Sequence, residues 1–224
     1  MQTDRCGPHP AMIPHPVGGA HGSHQQAPRR GHATGTWPSA GESPEGEQAF
    51  LRHLGASLLS RCMVIVRTAT DEDWPRIYPI YAGIVAEGKT YAFPEGQSLS
   101  EARSWWMEPP PGQTVAAVEG DLVLGSAKMG ANRPGRGAHV ATASFMVDPA
   151  HQGQGIGRVL GTYVLDWARS EGFRGIQFNA VVETNTAAVH LWQALGFEII
   201  GTVPETFDHP AHGLVGLHVM FRRL

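Results

Sequence analysis

The sequence predicts an α/β domain with one mixed sheet over residues 63–224, preceded by a disordered tail over residues 1–62. Within the domain, apolar runs of strand length alternate with amphipathic runs of helix length in the second half. The tail holds 9 of the 28 glycines, 7 of the 17 prolines and 6 of the 12 histidines, and its one apolar run is short. Such a segment cannot bury enough surface to offset the entropy lost on ordering.

The tail gives no sign of a metal site or a disulfide framework. The spacing of its six histidines matches no common ligand pattern, so we predict no metal. Cys6 and Cys62 lie in or beside the tail, and such sparse cysteine usage fits a reducing cytoplasm. Met63 opens a natural strand, which suggests the hypothesis that residues 1–62 reflect an over-extended gene start.

Charge and hydropathy exclude two classes of function. Residues 63–224 carry 12 Lys and Arg against 16 Asp and Glu, a net charge of −4, which argues against a dedicated nucleic-acid binder. The N-terminus lacks the pattern of a signal peptide, and no apolar run reaches the roughly 18 residues that a membrane span needs. We therefore expect a cytoplasmic protein with no membrane or nucleic-acid partner.

The first half of the domain reads as a strand, two helices and a hairpin. Residues 63–69 are rich in β-branched side chains and predict a strand, and Thr70 can cap a helix over residues 71–88 that Pro75 and Pro79 interrupt. A second helix over residues 98–112 ends at three consecutive prolines. Strands are expected over residues 113–119 and 122–130, joined at Gly120-Asp121, and a longer strand over residues 139–149.

The second half alternates helices and strands. The helix over residues 155–172 places apolar residues on one face, and Gly172 ends it. The helix over residues 185–196 has Asn185 in the capping position. The remaining expected strands are residues 175–182, 197–203 and 213–223.

Residues 151–158, HQGQGIGR, form a glycine loop between a strand and a helix. Glycines let the backbone approach an anion closely, and the free N–H groups and dipole of a helix N-terminus favour negative charge. The loop therefore predicts a phosphate or pyrophosphate site. Neither a P-loop nor a dinucleotide fingerprint fits, because no Gly-Lys-Ser/Thr follows and the glycines Gly153, Gly155 and Gly157 alternate late in the domain.

Two ordered motifs resemble the GCN5-related N-acetyltransferase (GNAT) family. Gln152, Gly155 and Gly157 match its Gln/Arg-x-x-Gly-x-Gly/Ala signature. Downstream, NTAAVHLWQALGF over residues 185–197 looks like its second cofactor motif. The resemblance covers residues 63–224 and implies a mixed, mostly antiparallel central sheet flanked by helices.

The resemblance further implies acetyl-CoA as cosubstrate. Strand backbone at Phe145, Met146 and Val147 would pair with the pantetheine arm, and an amide near Met146 or Val147 would polarise the thioester carbonyl. Asn185 would cap its helix and touch the pantetheine. The full set of cofactor residues so implied is Phe145, Met146, Val147, Gln152, Gly153, Gln154, Gly155, Ile156, Gly157, Arg158, Asn185 and Ala188.

Acyl transfer to an amine needs a base that removes a proton from the amine. The departing thiolate needs a proton less strongly, so a weak acid suffices for it. Trp192 stands where many family members carry a tyrosine acid, and an indole N–H is no useful proton donor near pH 7. Glu87 and His139 are the candidate catalytic residues, and Asn179 is expected to line the acceptor pocket.

Acceptor identity is expected to reside in residues 86–97 and 204–213. The favoured interpretation is an N-acetyltransferase that acts by direct attack of the primary amine of a small molecule. Two alternatives stay open: acetylation of a protein N-terminus or lysine, and a non-catalytic CoA-binding module. A homodimer also stays open.

Overall fold

The computed structural model describes residues 63–224. The expected disordered tail, its histidines and its two cysteines lie outside the described residues. Within the described part of the chain, seven strands form one sheet and four α-helices cover its faces. The elements are β1 (Ile65–Thr68), α1 (Trp74–Ala86), α2 (Leu99–Trp106), β2 (Gln113–Glu119), β3 (Leu122–Ala131), β4 (Val140–Val147), α3 (Ile156–Ser170), β5 (Gly175–Val182), α4 (Thr186–Ala194), β6 (Glu198–His209) and β7 (Gly213–Arg223).

The sheet has the strand order β1-β2-β3-β4-β5-β7-β6. Its pairs are antiparallel apart from β4 and β5, which run parallel. The predicted mixed, mostly antiparallel sheet with flanking helices is therefore confirmed. A parallel pair needs a crossover connection, and α3 provides it.

The sheet is buried on both faces. Along β2, Val115 and Ala117 pack into a core with α3, whereas Ala116 and Val118 pack into a second core with α1 and α2. Because side chains alternate across a strand, burial of both faces requires the continuous apolar run that β2 shows.

The entry into α1 differs from the sequence expectation. The helix starts at Trp74 with Asp73 in the capping position, not at residue 71 with Thr70 as its cap. The Asp73 carboxylate instead accepts hydrogen bonds from the Thr70 N–H at 2.8 Å and from the Arg67 guanidinium at 2.7 Å. Pro79 lies inside the helix without ending it.

The segment before the last strand also differs. The expected strand ends at residue 203, but β6 continues through residues 204–209 to His209. A register shift between Val203 and Phe207 inserts extra residues opposite β7, and Glu205 there has a φ of 54°. The alternating pattern ends at Val203 because this irregularity breaks the two-residue period.

Candidate active site

The site is a gap between two parallel strands. β4 and β5 pair only at Val140↔Gly175 and Ala141↔Ile176, and both strands then continue without pairing to each other. A register shift in β5 between Phe178 and Val181 bends that strand further. Backbone groups of β4 beyond Ala141 therefore face a cleft instead of a neighbouring strand.

A tyrosine hydroxyl shows which β4 groups face the cleft. Tyr91 donates to the Phe145 carbonyl at 2.7 Å and accepts from the Phe145 N–H at 2.9 Å. On the other edge, the Asp148 N–H donates to the β3 residue Leu124 at 2.9 Å. Strand alternation then turns the amide of Val147 toward the cleft and that of Met146 toward β3.

The glycine loop lies at the end of β4. Gly153 and Gly155 have φ values of 76° and 85°, which only glycine adopts readily, and a Cβ on either would meet no atom within 4 Å. Gly157 has a different role, since its Cβ would lie 3.0 Å from Leu191 of α4. The loop thus combines open space on one side with close helix packing on the other.

The N-terminus of α3 carries free donors toward this open space. Gly155 is the capping residue, in the left-handed conformation and without a side-chain cap. Its carbonyl already accepts from the N–H groups of Arg158 and Val159 at 3.0 and 3.1 Å. The N–H groups of Ile156 and Gly157 belong to the first turn, where no earlier helical carbonyl can accept them.

Two cavities meet in the cleft. The glycine-loop cavity, of about 470 Å³, is lined by β4, the glycine loop and α4. It takes in 11 of the 12 residues expected to bind the cofactor, Gln154 being the exception: Phe145, Met146, Val147, Gln152, Gly153, Gly155, Ile156, Gly157, Arg158, Asn185 and Ala188. The second, the aromatic cavity, has a volume of about 380 Å³ and lies beside residues 90–93, β4 and β5.

The two cavities share one wall. Phe145, Asn185, Ala188 and Trp192 line both, as does Thr90. Asn185 caps α4, because its side-chain oxygen accepts the Ala188 N–H at 3.1 Å. The aromatic cavity therefore lies next to the cavity at the N-terminus of α3, with these shared residues between them.

The candidate catalytic residues are not both brought to the cleft. Glu87 ends α1 and lines the glycine-loop cavity, with its side chain 49% exposed and 3.5 Å from the Lys89 ammonium. His139 lies at the opposite end of β4, is exposed, and its Nδ1 lies 3.1 Å from the Arg136 carbonyl. It lines neither cavity, because it precedes the strand that leads to the glycine loop. His139 therefore lies outside the cleft.

Asn179 and Trp192 both line the aromatic cavity. Asn179 follows Phe178 at the β5 irregularity, and its amide is engaged by Gln177 at 2.8 Å and Asn132 at 2.7 Å. The Trp192 ring is 6% exposed and packs on Phe145 with ring centroids 4.5 Å apart. Trp192 is therefore a wall of the cleft.

Sequence analysis missed Tyr91 as an individual site residue. It lies in residues 86–97, which were expected to contribute to the acceptor site, but its backbone contact is 54 residues away along the chain. Burial raises the pKa of its hydroxyl above the ordinary value. No local pattern could signal a contact of this range.

The fold and this cleft define the class of protein. The family described as Acetyltransferase (GNAT) matches residues 72–197. The chain belongs to the GNAT acetyltransferase family.

Individual relatives span different parts of the chain. A GCN5-related N-acetyltransferase from Kribbella flavida has 59% identity and a TM-score of 0.70, over 72% of this chain and 98% of that one. A GNAT superfamily phosphinothricin acetyltransferase from Sinorhizobium meliloti, solved in complex with AcCoA, has 25% identity and a TM-score of 0.64, over 72% and 88%. The L-amino acid N-acyltransferase MnaT from Escherichia coli is 35% identical over 92 residues, 41% of this chain and 53% of MnaT. The chain spans about half the length of most of the curated relatives it matches.

Among the described residues, no helix has the length and apolar character needed to cross a bilayer. Residues 63–224 also contain no cluster of three or more His, Cys, Asp or Glu side chains arranged to hold a metal ion.

Proposed function

We propose that this chain is an acetyl-CoA-dependent N-acetyltransferase that acts on the primary amine of a small molecule. The observation that carries the proposal is the cleft between β4 and β5, where a cavity at a helix N-terminus suited to an anion lies next to a second, aromatic cavity. Acetyl-CoA supplies an activated acetyl thioester when bound. Its acetyl end and the acceptor amine must meet where the two cavities share Phe145 and Trp192.

The glycine loop fits the diphosphate of the cosubstrate. First-turn amides of α3 face open space beside Gly155, and the helix dipole adds partial positive charge there. Arg158 lines the same cavity and supplies a full positive charge. These groups would hold the diphosphate without any metal ion.

The free edge of β4 fits the pantetheine arm. Val147 has its amide toward the cleft, whereas strand alternation turns the Met146 amide into the sheet. Of the two amides expected to polarise the thioester carbonyl, Val147 is therefore the better placed. The Phe145 N–H on the same edge already donates to the Tyr91 hydroxyl at 2.9 Å, so it is not a free donor for the arm.

Thiol release from acetyl-CoA across a panel of amines tests the proposal. Acceptor-dependent release together with acetyl-CoA binding by calorimetry is the expected result. If calorimetry shows no binding, the acetyltransferase function is contradicted. If thiol release from acetyl-CoA occurs only with a protein N-terminus or a lysine peptide, the chain is a protein acetyltransferase instead.

A second candidate is a non-catalytic CoA-binding module. The geometry favours it because no expected acid or base is well placed. Trp192 replaces the usual tyrosine acid, Glu87 is half exposed and ion-paired, and His139 is remote from the cleft. Such a module would bind acetyl-CoA with no thiol release for any amine. The same two measurements therefore separate the candidates.

A further inference from the structure

The aromatic cavity has walls made of rings on both sides. Tyr91 and Phe93 stack with centroids 4.8 Å apart on one side. On the other side, Phe145 and Phe178 meet Trp192 at centroid distances of 4.5 and 5.0 Å. A volume of about 380 Å³ suits a small molecule, and the rings that line the cavity favour an apolar body that can make stacked or edge-to-face contacts, such as a flat aromatic ring.

The cavity lining carries no full charge. All 19 lining residues lie within the described part of the chain, and none of them is Asp, Glu, Lys, Arg or His. The titratable side chain among them is Tyr91, whose hydroxyl is bonded to both backbone groups of Phe145. Burial raises the pKa of this hydroxyl, so it stays neutral.

Charged residues of the adjoining strands are engaged elsewhere. Lys128 lies opposite Ser144 across the β3–β4 pair, but its ammonium donates to the Trp105 carbonyl at 2.8 Å and lies 3.7 Å from Glu108. The Glu183 carboxylate accepts the Gly216 N–H at 2.5 Å. Neither residue lines the cavity.

A charged acceptor would therefore bind poorly. An ammonium or a carboxylate that leaves water for this chamber finds no opposite charge, and unpaired burial of an ion is costly. An amine must in any case be uncharged to attack a carbonyl carbon, and no side chain of the lining is placed to remove its proton. A weakly basic amine meets neither difficulty, because it is already uncharged at pH 7.

We infer that the acceptor is a weakly basic amine on an apolar, flat body without a carboxylate, of which an aromatic amine is the simplest example; this inference rests on the proposed acetyltransferase function. The amine nitrogen bonds to the acetyl carbon as the carbon–sulfur bond breaks. The electron pair of that bond stays on sulfur, and the proton lost by the amine passes through water to the sulfur. The products are an amide and the free thiol.

The acceptor inferred for this chain differs from the acceptors in the name of one relative. MnaT is called an L-amino acid N-acyltransferase. An amino acid carries both an ammonium and a carboxylate at pH 7, and the lining of this cavity offers an oppositely charged side chain to neither.

Three matched amines test the inference on the full chain at pH 7 with saturating acetyl-CoA. They are p-toluidine, 4-aminobenzoate, which has a carboxylate in place of the methyl group, and 4-methylbenzylamine, which is an ammonium at this pH. We expect kcat/KM for p-toluidine to exceed both others by about tenfold or more. Equal or better turnover of either charged amine, or of L-methionine, would overturn the acceptor class.

A designed charge provides a second test. Thr142 lines the cavity and lies opposite Gly130, which has no side chain, although Glu108 Oε1 lies 3.8 Å from where a Gly130 Cβ would be. Thr142→Glu should raise turnover of 4-methylbenzylamine relative to p-toluidine by about tenfold, because a carboxylate can hold the ammonium and accept its proton. Thr142→Gln has the size of the Glu variant without its charge, so the ratio in Thr142→Glu should exceed the ratio in Thr142→Gln by about tenfold.

The outcomes distinguish the two proposals. If calorimetry detects no acetyl-CoA binding, the acetyltransferase function itself fails. If acetyl-CoA binds and thiol release occurs only with charged amines, the acceptor inference alone is wrong. If acetyl-CoA binds and no amine of the wider panel gives thiol release, the chain is the non-catalytic module and both proposals fail. The amine panel on the unmodified chain decides the matter even if Thr142→Glu fails to fold.

Discussion

At the residue scale, the glycines of the loop meet different physical needs. Gly153 and Gly155 adopt positive φ beside open space, and Gly157 makes room for Leu191 of α4. A side chain at position 155 therefore tests conformation and charge at once, whereas one at position 157 disturbs the packing of two helices. Position 155 is the better place to test the anion site.

Gly155→Asp and Gly155→Asn form a matched pair for this purpose. Both side chains tolerate the left-handed conformation, and they differ in charge and hardly in size. We expect Gly155→Asp to weaken acetyl-CoA binding by about tenfold or more relative to Gly155→Asn, because a carboxylate beside the helix N-terminus repels the diphosphate. Calorimetry on both variants measures the difference, and equal affinities would place the diphosphate elsewhere.

Tyr91 also acts at the scale of one residue. We expect Tyr91→Phe to lower the free energy of unfolding by about 1–3 kcal/mol, because the Phe145 N–H and C=O both lose their partner. Burial raises the pKa of the hydroxyl, and a raised pKa contributes stability that is fully present below the unfolded-state value of about 10. The loss should thus be constant from pH 6 to 9 and should shrink above about pH 10 as wild-type stability falls.

Tyr78→Phe is the control for Tyr91→Phe. The Tyr78 hydroxyl donates one hydrogen bond, to the Gln97 carbonyl at 2.7 Å, and has no second backbone partner in the described chain. Urea denaturation of both variants should show the larger loss for Tyr91→Phe. A loss no greater than that of Tyr78→Phe would mean that water replaces the Tyr91 contacts in the cleft.

At the scale of elements, the entry into α1 depends on one ion pair. The Arg67 guanidinium on β1 donates two hydrogen bonds of 2.7 Å to the Asp73 carboxylate, which also accepts from Thr70. The hydrogen bonds from Arg67 are the main reason why the pKa of Asp73 lies well below its usual range. This pair fixes the turn between the edge strand and the first helix.

Asp73→Asn should lower the free energy of unfolding by about 2 kcal/mol at pH 7, because charge-assisted hydrogen bonds are lost at a side chain that is 4% exposed. A depressed pKa gives stability that is present above the unfolded-state value and lost as pH falls toward the folded-state value. The gap between wild type and variant should therefore be constant from pH 5 to 8 and should narrow below about pH 4. Denaturation curves across this range measure the gap.

Asp71→Asn is the matched control. Asp71 also pairs with an arginine, Arg103, but its side chain is 80% exposed. Exposed pairs contribute little, so the variant should stay within about 0.5 kcal/mol of wild type. A larger effect for Asp71→Asn than for Asp73→Asn would contradict the importance given to the buried carboxylate.

The bounds of an element can be predicted from the sequence where neighbouring residues determine them. The strands β2, β5 and β7 have the predicted bounds, because apolar runs and flanking glycines fix them. The predicted end of β6 was wrong because two extra residues around Glu205 break the alternation of the strand. The predicted start of α1 was wrong because the Asp73 carboxylate binds the Arg67 guanidinium of β1.

The same reasoning applies to the cleft. The motifs placed the glycine loop and Asn185 in sequence, and those residues do line one cavity. The bridge from Tyr91 to Phe145 and the end of β4–β5 pairing after Ala141 depend on tertiary contacts, so no single stretch reveals them. His139 had the chemistry of a base, but its position at the start of β4 keeps it far from the loop at the end of that strand.

At the scale of the whole molecule, all seven strands of the sheet that the structure describes, including the edge strands β1 and β6, lie within residues 63–224. The Kribbella flavida structure is matched over 98% of its length by 72% of this chain. We therefore predict that a fragment of residues 63–224 folds alone and binds acetyl-CoA like the full chain. Circular dichroism, urea denaturation and calorimetry on the fragment and the full chain measure this directly. A fragment that loses cooperative unfolding, or that binds acetyl-CoA more than about tenfold more weakly, would show that residues before Met63 contribute to the domain, since a tenfold loss corresponds to about 1.4 kcal/mol of interaction.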